Sequence, residues 1–500
     1  MKKPDYFQDH LEWEILEPEQ EITNLTFETG LYSLSKTCII RFSRDNQYDL
    51  VATISGIVDN AKDLNPNIKN IQGEIVSAET IIGYSIDGLF KYKLSDVVLG
   101  ASKTSYISVS NPTSRFQAEL IVNKIERSFN GSKNEIECLQ EWYLTGTTSV
   151  IFPRSTYRSV DKSYKRLREG VDSENEISLG KSNLAGRDYL IVNLIDTSYI
   201  VSKVPKEYGP NWSFNLSIEY RQSFGRIPNM EEREAISEIV GFVLGNQLLK
   251  VGQTNYDKSH SLILQEYQDP WGDNVVSRCQ RQGFQPVDIS KFDNWGRVET
   301  LLNELTPKYL TERKRLRLND ALWKYWLSKY SSLGANLPIL SSAVETLAER
   351  ILKNHPEIKL YYIAFNVFAE MIKDELDTIE KKLDGISQKD IILNKLKGAS
   401  QRGSNEKLEM MFEIIELPID IIERKAIKAR NKMAHSSIGE ITDEEIKETL
   451  RMTRAYETLF NRVLLKILSY NGEYVDYYTL GYPNRPINEP IQEEKQKPIR

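Results

Sequence analysis

The hydrophobic pattern of this 500-residue chain changes its period along the sequence, and this change limits the possible folds more than any other feature. From about residue 30 to residue 225, apolar and polar residues alternate in short runs, as in half-buried strands. A first helical run begins after Asn229, which can form a capping box with Glu232. From about residue 297 to residue 471, apolar residues recur at spacings of three and four, as in amphipathic helices. The last of these helices starts at a capping box of Thr442 with Glu445 and includes Ile446 and Leu450 in its apolar stripe. Because the strand-like runs follow one another directly, we predict an antiparallel sheet, a sandwich or a barrel rather than an α/β fold.

The two patterns predict an α+β protein in three segments. Residues 1–295 form a β-rich region with a sub-boundary near 170–187, where the sequence is polar and glycine-containing. Residues 296–480 form an all-helical domain. Residues 481–500, which combine prolines with charges, form a mobile tail. A chain of this length exceeds the size at which a single core keeps growing, so several domains are expected.

Composition restricts the partners and the compartment. The net charge of −6 does not indicate general nucleic-acid binding, so any contact with RNA requires local basic patches. The chain contains no run of about 20 apolar residues, so we expect no membrane span. No apolar run follows its two early lysines, so we expect no secretory signal. Three widely separated cysteines suit a reducing cytoplasm.

Several enzyme classes lack their sequence signatures in this chain. The P-loop, the C-x-x-C pair, the H-E-x-x-H zinc motif and the G-x-S-x-G elbow are all missing. The four histidines lie far apart at His10, His260, His355 and His435, which argues against a histidine-rich metal site. We therefore predict a protein that works without a metal or another cofactor, although a magnesium site built from carboxylates alone leaves no such signature.

The segment from Pro418 to Gly439 reads as one amphipathic helix. Proline suits a first helical position and glycine suits the residue that ends a helix. At about 100° per residue, one face collects the apolar residues Ile419, Ile422, Ala426, Ala429 and Met433. The opposite face collects Arg424, Lys428, Asn431, Lys432 and His435. Arg430 lies between the two faces, so we expect substitutions of Arg430 and His435 to alanine to cost stability like surface changes, within about 0.5 kcal/mol.

The run Arg430-Asn431-Lys432-Met433-Ala434-His435 resembles the R-N-x-x-x-H signature of the HEPN superfamily. The resemblance covers about residues 310–480 and implies an all-α domain. It also implies a metal-independent ribonuclease that works as a dimer. An ordinary amphipathic helix whose Arg and His are solvated is the alternative that the pattern alone leaves open.

A second resemblance concerns the layout of the whole chain. The run SSAVETLAERI, which contains Glu345, is similar to the acidic helix of ApeA-like HEPN proteins of bacterial anti-phage defence. Those proteins also carry a β-rich half ahead of the HEPN domain. The resemblance implies that Glu345 is a supporting acid and that residues 1–295 sense a phage-derived or nucleic-acid trigger.

The side chains of the motif have the chemistry that RNA cleavage needs. RNA supplies its own nucleophile, the 2′-hydroxyl, so a nuclease has to move protons and stabilise the phosphorane. Histidine titrates near neutrality, so His435 can be the acid or base, and Arg430 can bind the phosphate oxygens. Asn431 can orient the histidine ring or the substrate, while Arg424, Lys428 and Lys432 can hold the RNA backbone.

The spacing of Arg430 and His435 creates a geometric difficulty. Five positions along an ideal helix rotate a side chain by about 140°, so the two residues cannot share a narrow face. Either the helix loosens at Ala434-His435-Ser436, or the groups converge across the interface of a homodimer, as the family resemblance implies. The competing interpretation is a non-catalytic HEPN-like module for dimerisation or RNA binding, with the β-rich half as the working part.

Overall fold

A computed structural model describes most of the chain. The described residues are 19–29, 32, 34, 37–58, 78–108, 111–129, 135–146, 150, 152–159, 184–203, 214–258, 262–270, 279, 284–289, 296–435 and 442–492. The chain divides into two compact units. The first comprises Met1–Phe284 and Ile289–Asn303, and the second comprises Gln285–Asp288 and Glu304–Arg500. The α+β class is confirmed, with an antiparallel sheet in the N-terminal half and helices in the C-terminal half.

The first unit is built on one extended antiparallel sheet. Its strands are β1 (Gln20–Phe27), β2 (Ile39–Arg44), β3 (Leu50–Val58), β4 (Glu79–Ser85), β5 (Phe90–Ser108), β6 (Asn111–Ile121), β7 (Lys124–Phe129), β8 (Cys138–Thr145), β9 (Arg154–Ser159), β10 (Leu184–Asn193), β11 (Ser198–Lys203), β12 (Phe214–Arg221), β13 (Leu249–Tyr256) and β14 (Leu262–Gln268). Their order is β4-β1-β2-β3-β6-β5-β7-β14-β13-β8-β12-β11-β10-β9, and β4 also pairs with β5. This extra pairing closes the first six strands into a ring around an apolar core.

The predicted sub-boundary near 170–187 does not coincide with a break in the described sheet. Residues 184–187 belong to β10, where Leu184 pairs with Ser159 of β9 and Arg187 pairs with Thr156. The remainder of that stretch lies outside the described residues. Helix α1 (Met230–Leu244) follows the sheet's twelfth strand, and Asn229 forms the predicted capping box with Glu232. The period change that the sequence shows at this point is therefore a real change of secondary structure.

The second unit is helical. Its helices are α2 (Arg297–Leu316, which begins in the first unit), α3 (Leu318–Tyr330), α4 (Asn336–Lys353), α5 (Phe365–Met371), α6 (Lys373–Lys382), α7 (Lys389–Lys397), α8 (Ser404–Ile414), α9 (Ile421–His435) and α10 (Asp443–Ile467). Helix α4 is central, because it packs against α3, α8, α9 and α10. Its buried stripe includes Leu340, Val344, Leu347 and Ile351 at the predicted spacing. The unit boundary lies inside α2, whereas the sequence places the domain boundary at 295/296.

The C-terminal segment differs from the predicted mobile tail. A short hairpin joins β15 (Glu473–Val475) to β16 (Asn484–Pro486). Beyond it, Ile487 and Ile491 are buried, and the Ile491 amide donates to Glu423 at 2.8 Å. The prediction of a mobile tail, made from the proline-rich composition, is wrong for residues 481–492, because two buried isoleucines and a backbone donor attach them. Residues 493–500 of the predicted tail lie outside the described residues. Among the described residues, no helix combines the length and the apolar character that a membrane crossing requires.

Candidate functional site

The helix that carries the motif begins later than its sequence indicates. Helix α9 starts at Ile421, and Asp420 precedes it with its backbone N–H donating to the Glu423 carboxylate at 3.1 Å. This contact satisfies a donor that the first turn of a helix leaves open. Pro418 lies ahead of the helix, and its carbonyl accepts a hydrogen bond from Arg462 at 2.9 Å. The prediction that Pro418 occupies the first helical position is therefore wrong.

The buried face of α9 contains two charged residues that the apolar stripe did not include. Ile422, Ala426 and Ile427 are buried, but so are Glu423 and Arg430. The predicted stripe members Ile419 and Ala429 are only half-buried. Arg424 and Lys428 are exposed on the opposite side, as the helical pattern predicts, and Arg424 pairs with Glu409.

Arg430 is held by three side chains from two other helices. Its side chain is only 8% exposed and forms an ion pair with Glu345 of α4 through Nη1. The same nitrogen donates to Ser341 Oγ at 2.8 Å, and Nη2 donates to Asn405 Oδ1 of α8 at 3.0 Å. Ser404 also donates to Glu345, at 2.7 Å. The guanidinium is thus fixed in position and orientation by side-chain oxygens.

A buried tyrosine of α10 completes the surroundings of Arg430. Burial raises the pKa of Tyr456, the Ser341 hydroxyl and the Arg430 charge oppose this rise, and the Glu345 charge adds to it. The phenol therefore stays neutral at physiological pH. Glu345 is more exposed than Arg430, Ser341 and Tyr456, because 39% of its side chain is exposed. The cluster consequently has an interior side at Ser341 and Tyr456 and a solvent side at Glu345 and Asn405.

The other half of the motif is described through its backbone alone. Helix α9 remains regular through His435, so the helix does not loosen at Ala434 or at His435, while Ser436 lies outside the described residues. The side chains of Asn431, Lys432 and His435 also lie outside the described part. The backbone position of His435 is rotated by about 140° from that of Arg430. It shares a sector of the helix with the exposed residues Arg424 and Lys428.

Sequence reasoning placed Glu345 among the candidates but missed its neighbours. Ser341 precedes Glu345 by four positions and hence lies on the same helix face. The sequence signal that could have revealed Ser341 is its position as a polar residue within the apolar stripe of α4. Asn405 and Ser404 follow a glycine and begin a separate helix, and nothing in their local sequence connects them to Arg430. Their role depends on tertiary packing of α8 against α4.

The chemistry of the cluster is that of positioned donors and one carboxylate. Within the described ranges, no group of three or more His, Cys, Asp or Glu side chains has the arrangement of a metal site. The described side chains around Arg430 can hold its guanidinium in place and can bind an anion. Neither the models of known protein families nor the curated proteins include a match to this chain.

Proposed function

We propose that the chain is a metal-independent endoribonuclease of the HEPN type that cleaves RNA by attack of the 2′-hydroxyl. The observation that supports this most is the fixed position of Arg430. The first residue of the R-N-x-x-x-H run is held by Glu345, Ser341 and Asn405, on the helix whose last residue is His435. An arginine oriented in this way near a histidine suits stabilisation of a phosphorane.

The buried Arg430 supports a functional role because its partner Glu345 is open to solvent, with 39% of its side chain exposed. Removing a guanidinium and a carboxylate from water costs several kcal/mol, and apolar residues of similar volume often stabilise such a position equally well or better. Ala426 and Ile427 on the same face show that α9 packs with ordinary apolar contacts. The side-chain partners of Arg430 include the partly exposed Glu345 and the exposed Asn405, and this access from solvent supports a role in binding an anion.

Each residue of the motif has a defined role in this proposal. His435 transfers the proton from the 2′-hydroxyl or to the leaving 5′-oxygen, and Asn431 orients it. Arg430 stabilises the charge on the phosphorane, while Glu345 orients the guanidinium. Asn405 is exposed and uncharged, so a phosphate oxygen can replace it as the acceptor of Nη2. Lys428, Lys432 and Arg424 bind the RNA backbone.

We further propose that the active species is a homodimer paired through the C-terminal helices. A regular helix separates Arg430 and His435 by about 140°, so one chain alone presents them in different directions. Ile446 and Leu450, which the sequence predicted to be buried in α10, are 36% and 44% exposed. They lie four positions apart on one face of the helix that follows the motif, and an apolar pair in such a place suits an interface.

The β-rich unit is proposed to control the nuclease. An unregulated ribonuclease harms its own cell, and a large sheet ahead of the helical unit supplies a separate body that can respond to a phage-derived or nucleic-acid trigger. This assigns the chain to anti-phage defence in the cytoplasm. Deleting residues 1–284 while retaining the whole second unit should change the level of activity, measured as RNA cleavage by the shortened chain beside the full chain.

One observation favours the alternative of a non-catalytic module. Arg430 already has a carboxylate, a hydroxyl and an amide as partners, so the network can serve purely to join α4, α8 and α9. In that case the helical unit mediates dimerisation or RNA binding. The two functions differ in one result, because a scaffold leaves RNA intact at any protein concentration.

The decisive experiment is incubation of the purified full chain with RNA in excess EDTA. We expect products with 2′,3′-cyclic phosphate and 5′-hydroxyl ends, no cleavage of DNA, and loss of cleavage in His435→Ala. His355→Ala is the matched control, since His355 is another histidine of the helical unit and pairs with Glu357 at 2.8 Å. Specific activity should fall on dilution of a dimer. Equal cleavage by wild type and His435→Ala, or cleavage that needs an added metal, contradicts the proposal.

A further inference from the structure

An exposed tyrosine and an arginine form a stacked pair in the helical unit. Tyr362 is 57% exposed, and the guanidinium carbon of Arg402 lies 4.7 Å from the centre of its ring. Two more aromatic residues lie beside it, with the rings of Tyr361 and Phe365 separated by 6.3 Å. Phe365 is also 48% exposed. An aromatic surface of this kind, open to solvent and covered in part by a guanidinium, differs from the packed aromatic residues of the bundle.

The backbone holds this pair in a fixed position. The Tyr362 amide donates to Ser400 O at 2.8 Å, and the Arg402 amide donates to Leu360 O at 3.0 Å. Tyr361 and Gln401 form an antiparallel bridge between these two contacts. Arg402 Nε also donates to the Lys359 carbonyl at 3.0 Å. The ring and the guanidinium are therefore held before any ligand arrives, which lowers the entropy lost on binding.

The stacked pair is adjacent in the chain to the residues that hold Arg430. Arg402 precedes Ser404 and Asn405, which contact Glu345 and Arg430 respectively. The Cα atoms of Arg402 and Asn405 are separated by at most about 11 Å, the reach of three residues. The Tyr362 hydroxyl bonds to Glu406, the next residue after Asn405. The aromatic surface and the proposed phosphate-binding arginine thus border one region of α8.

The surroundings of the pair are locally basic in a chain that is acidic overall. Lys359 is exposed two positions before Tyr361, and Lys395 and Lys397 are exposed in the last turn of α7, which precedes the Gln401 side of the bridge. Arg402 adds a fourth cation. Glu406, an acid that contacts Tyr362, accepts hydrogen bonds from the Tyr362 hydroxyl and from the Gly403 amide, the latter at 3.0 Å. Cations around an exposed aromatic ring favour a ligand that is both anionic and planar.

We propose that Tyr362 and Arg402 bind a nucleobase of single-stranded RNA next to the phosphate held by Arg430. This inference rests on the proposed function, and it names the substrate class as unpaired RNA. Unpaired bases stack on tyrosine rings and on guanidinium planes, whereas bases inside a duplex are covered by their neighbours. Stacking accepts every base, so the pair selects for single strands rather than for sequence.

The test is RNA binding by full-length protein that carries His435→Ala, so that the RNA stays intact. A fluorescent single-stranded oligonucleotide should bind about tenfold more weakly when Tyr362→Ala is added. Tyr362→Phe keeps the ring and should bind like its parent. Trp323→Ala is the matched control, because Trp323 is an exposed aromatic residue of α3 in the same unit. Tyr362→Leu repeats the test with apolar bulk retained, and thermal unfolding of every variant checks the fold.

Two further measurements separate stacking from other roles. An oligonucleotide with abasic sites should bind the His435→Ala parent and its Tyr362→Ala derivative alike, and a duplex should show no dependence on Tyr362. Equal affinity of the parent, Tyr362→Ala and Tyr362→Leu for the single strand overturns the inference, as does an equal loss with the abasic strand. If Tyr362→Ala instead abolishes a protein–protein contact and leaves RNA binding intact, the surface serves a protein partner and the inference is wrong.

The outcome is distinguishable from that of the proposed nuclease. Binding that depends on Tyr362, in a protein that never cleaves RNA, supports the base-binding pair and contradicts catalysis. Cleavage that depends on His435, with no effect of Tyr362 on affinity or on the preference for single strands, supports catalysis and overturns the base-binding pair.

Discussion

Helix α9 contributes to two arginine–glutamate pairs with a buried arginine, and the pairs differ in what surrounds them. Near its start, Glu423 pairs with Arg462 of α10 at 2.5 Å, and both side chains are fully buried. Near its end, Arg430 pairs with Glu345, whose side chain is 39% exposed. The same two chemical groups thus occupy a closed site and an open site on one helix.

The other partners of each pair explain the difference. At the closed site, the further partners are backbone groups: Arg462 Nη2 donates to the carbonyls of Pro418 and Ile487, and the Ile491 amide donates to Glu423. At the open site, the partners are the side chains of Ser341, Asn405 and Ser404. Backbone partners cannot be exchanged without moving the chain, whereas side chains can release a group to a ligand. The closed pair therefore supports the fold and the open pair suits a binding site.

The largest stability effect should follow from opening the closed pair. Arg462→Met leaves Glu423 buried without its cation and should lower the free energy of unfolding by about 3–5 kcal/mol. Glu423→Gln should cost less, because burial raises the pKa of Glu423 and the Arg462 charge offsets this only in part. Urea unfolding of the two variants beside wild type measures the difference. Equal losses would show that the pair acts through charge alone.

The pH dependence of the same pair has a defined sign. A carboxyl whose pKa is higher in the folded state binds a proton more readily there than in the unfolded chain. Lowering the pH through the folded pKa of Glu423 should therefore raise the stability of wild type relative to Glu423→Gln. Unfolding curves of both proteins across that range test this, and a wild type that loses stability relative to Glu423→Gln on acidification would contradict the assignment.

For the open pair, we expect substitution to affect activity more than stability. Arg430→Ala should abolish RNA cleavage and lower the free energy of unfolding by about 1–3 kcal/mol, because Ser341 and Glu345 lose their donor. This exceeds the 0.5 kcal/mol that the sequence pattern alone suggested, since Arg430 is buried rather than at the edge of the stripe. Cleavage assays and urea unfolding on one preparation separate the two effects. A stability loss as large as that of Arg462→Met would assign Arg430 to the fold.

The sequence pointed to the residues of the open pair but not to those of the closed pair, and the reason is physical. Periodicity reports which positions of a helix face the core, and it placed Ile422 and Ala426 correctly. It cannot report a charge that is buried because a partner from another helix neutralises it, so it missed Glu423 and Arg462. Arg430 was a candidate because it belongs to the R-N-x-x-x-H run. Glu345 was a candidate because its helix resembles the acidic helix of ApeA-like HEPN proteins. The distance between them depends on the packing of α4 against α9.

Failures elsewhere have the same origin. Ile446 and Leu450 continue the apolar period of α10, yet they are exposed, because the bundle covers that helix only from about Met452 onward. The Thr442 capping box, in contrast, was predicted correctly, since the Thr442 hydroxyl and the Glu445 carboxylate need only each other's backbone. Hydrogen bonds between residues close in sequence can be predicted from that sequence. How much of a helix is covered by other helices cannot be predicted in this way.

Intermediate effects should come from the neutral partners of Arg430. Ser341→Ala and Asn405→Ala each remove one hydrogen bond, so each should lower the free energy of unfolding by about 1 kcal/mol. Ser341 is buried, so Ser341→Ala should cost more than Asn405→Ala, whose partner Nη2 can turn to water. If phosphate replaces Asn405, then Asn405→Ala should leave RNA cleavage nearly unchanged. Loss of cleavage in Asn405→Ala would make its amide part of the site.

The smallest effects belong to the exposed basic face of α9, where no buried pair is involved. For a single-stranded ligand, each phosphate contact contributes about 0.7 to the slope of log affinity against log salt. Lys428→Ala should reduce the slope by about that amount in a His435→Ala background, while Arg424→Ala should reduce it less, because Glu409 already neutralises Arg424. Glu409→Gln then releases Arg424 and should steepen the slope.

Binding titrations at several salt concentrations measure all three variants, and identical slopes would place RNA on another surface of the bundle. Since these side chains are solvated in either state, their contribution should vanish at high salt, whereas the contribution of the partly desolvated Arg430 should persist.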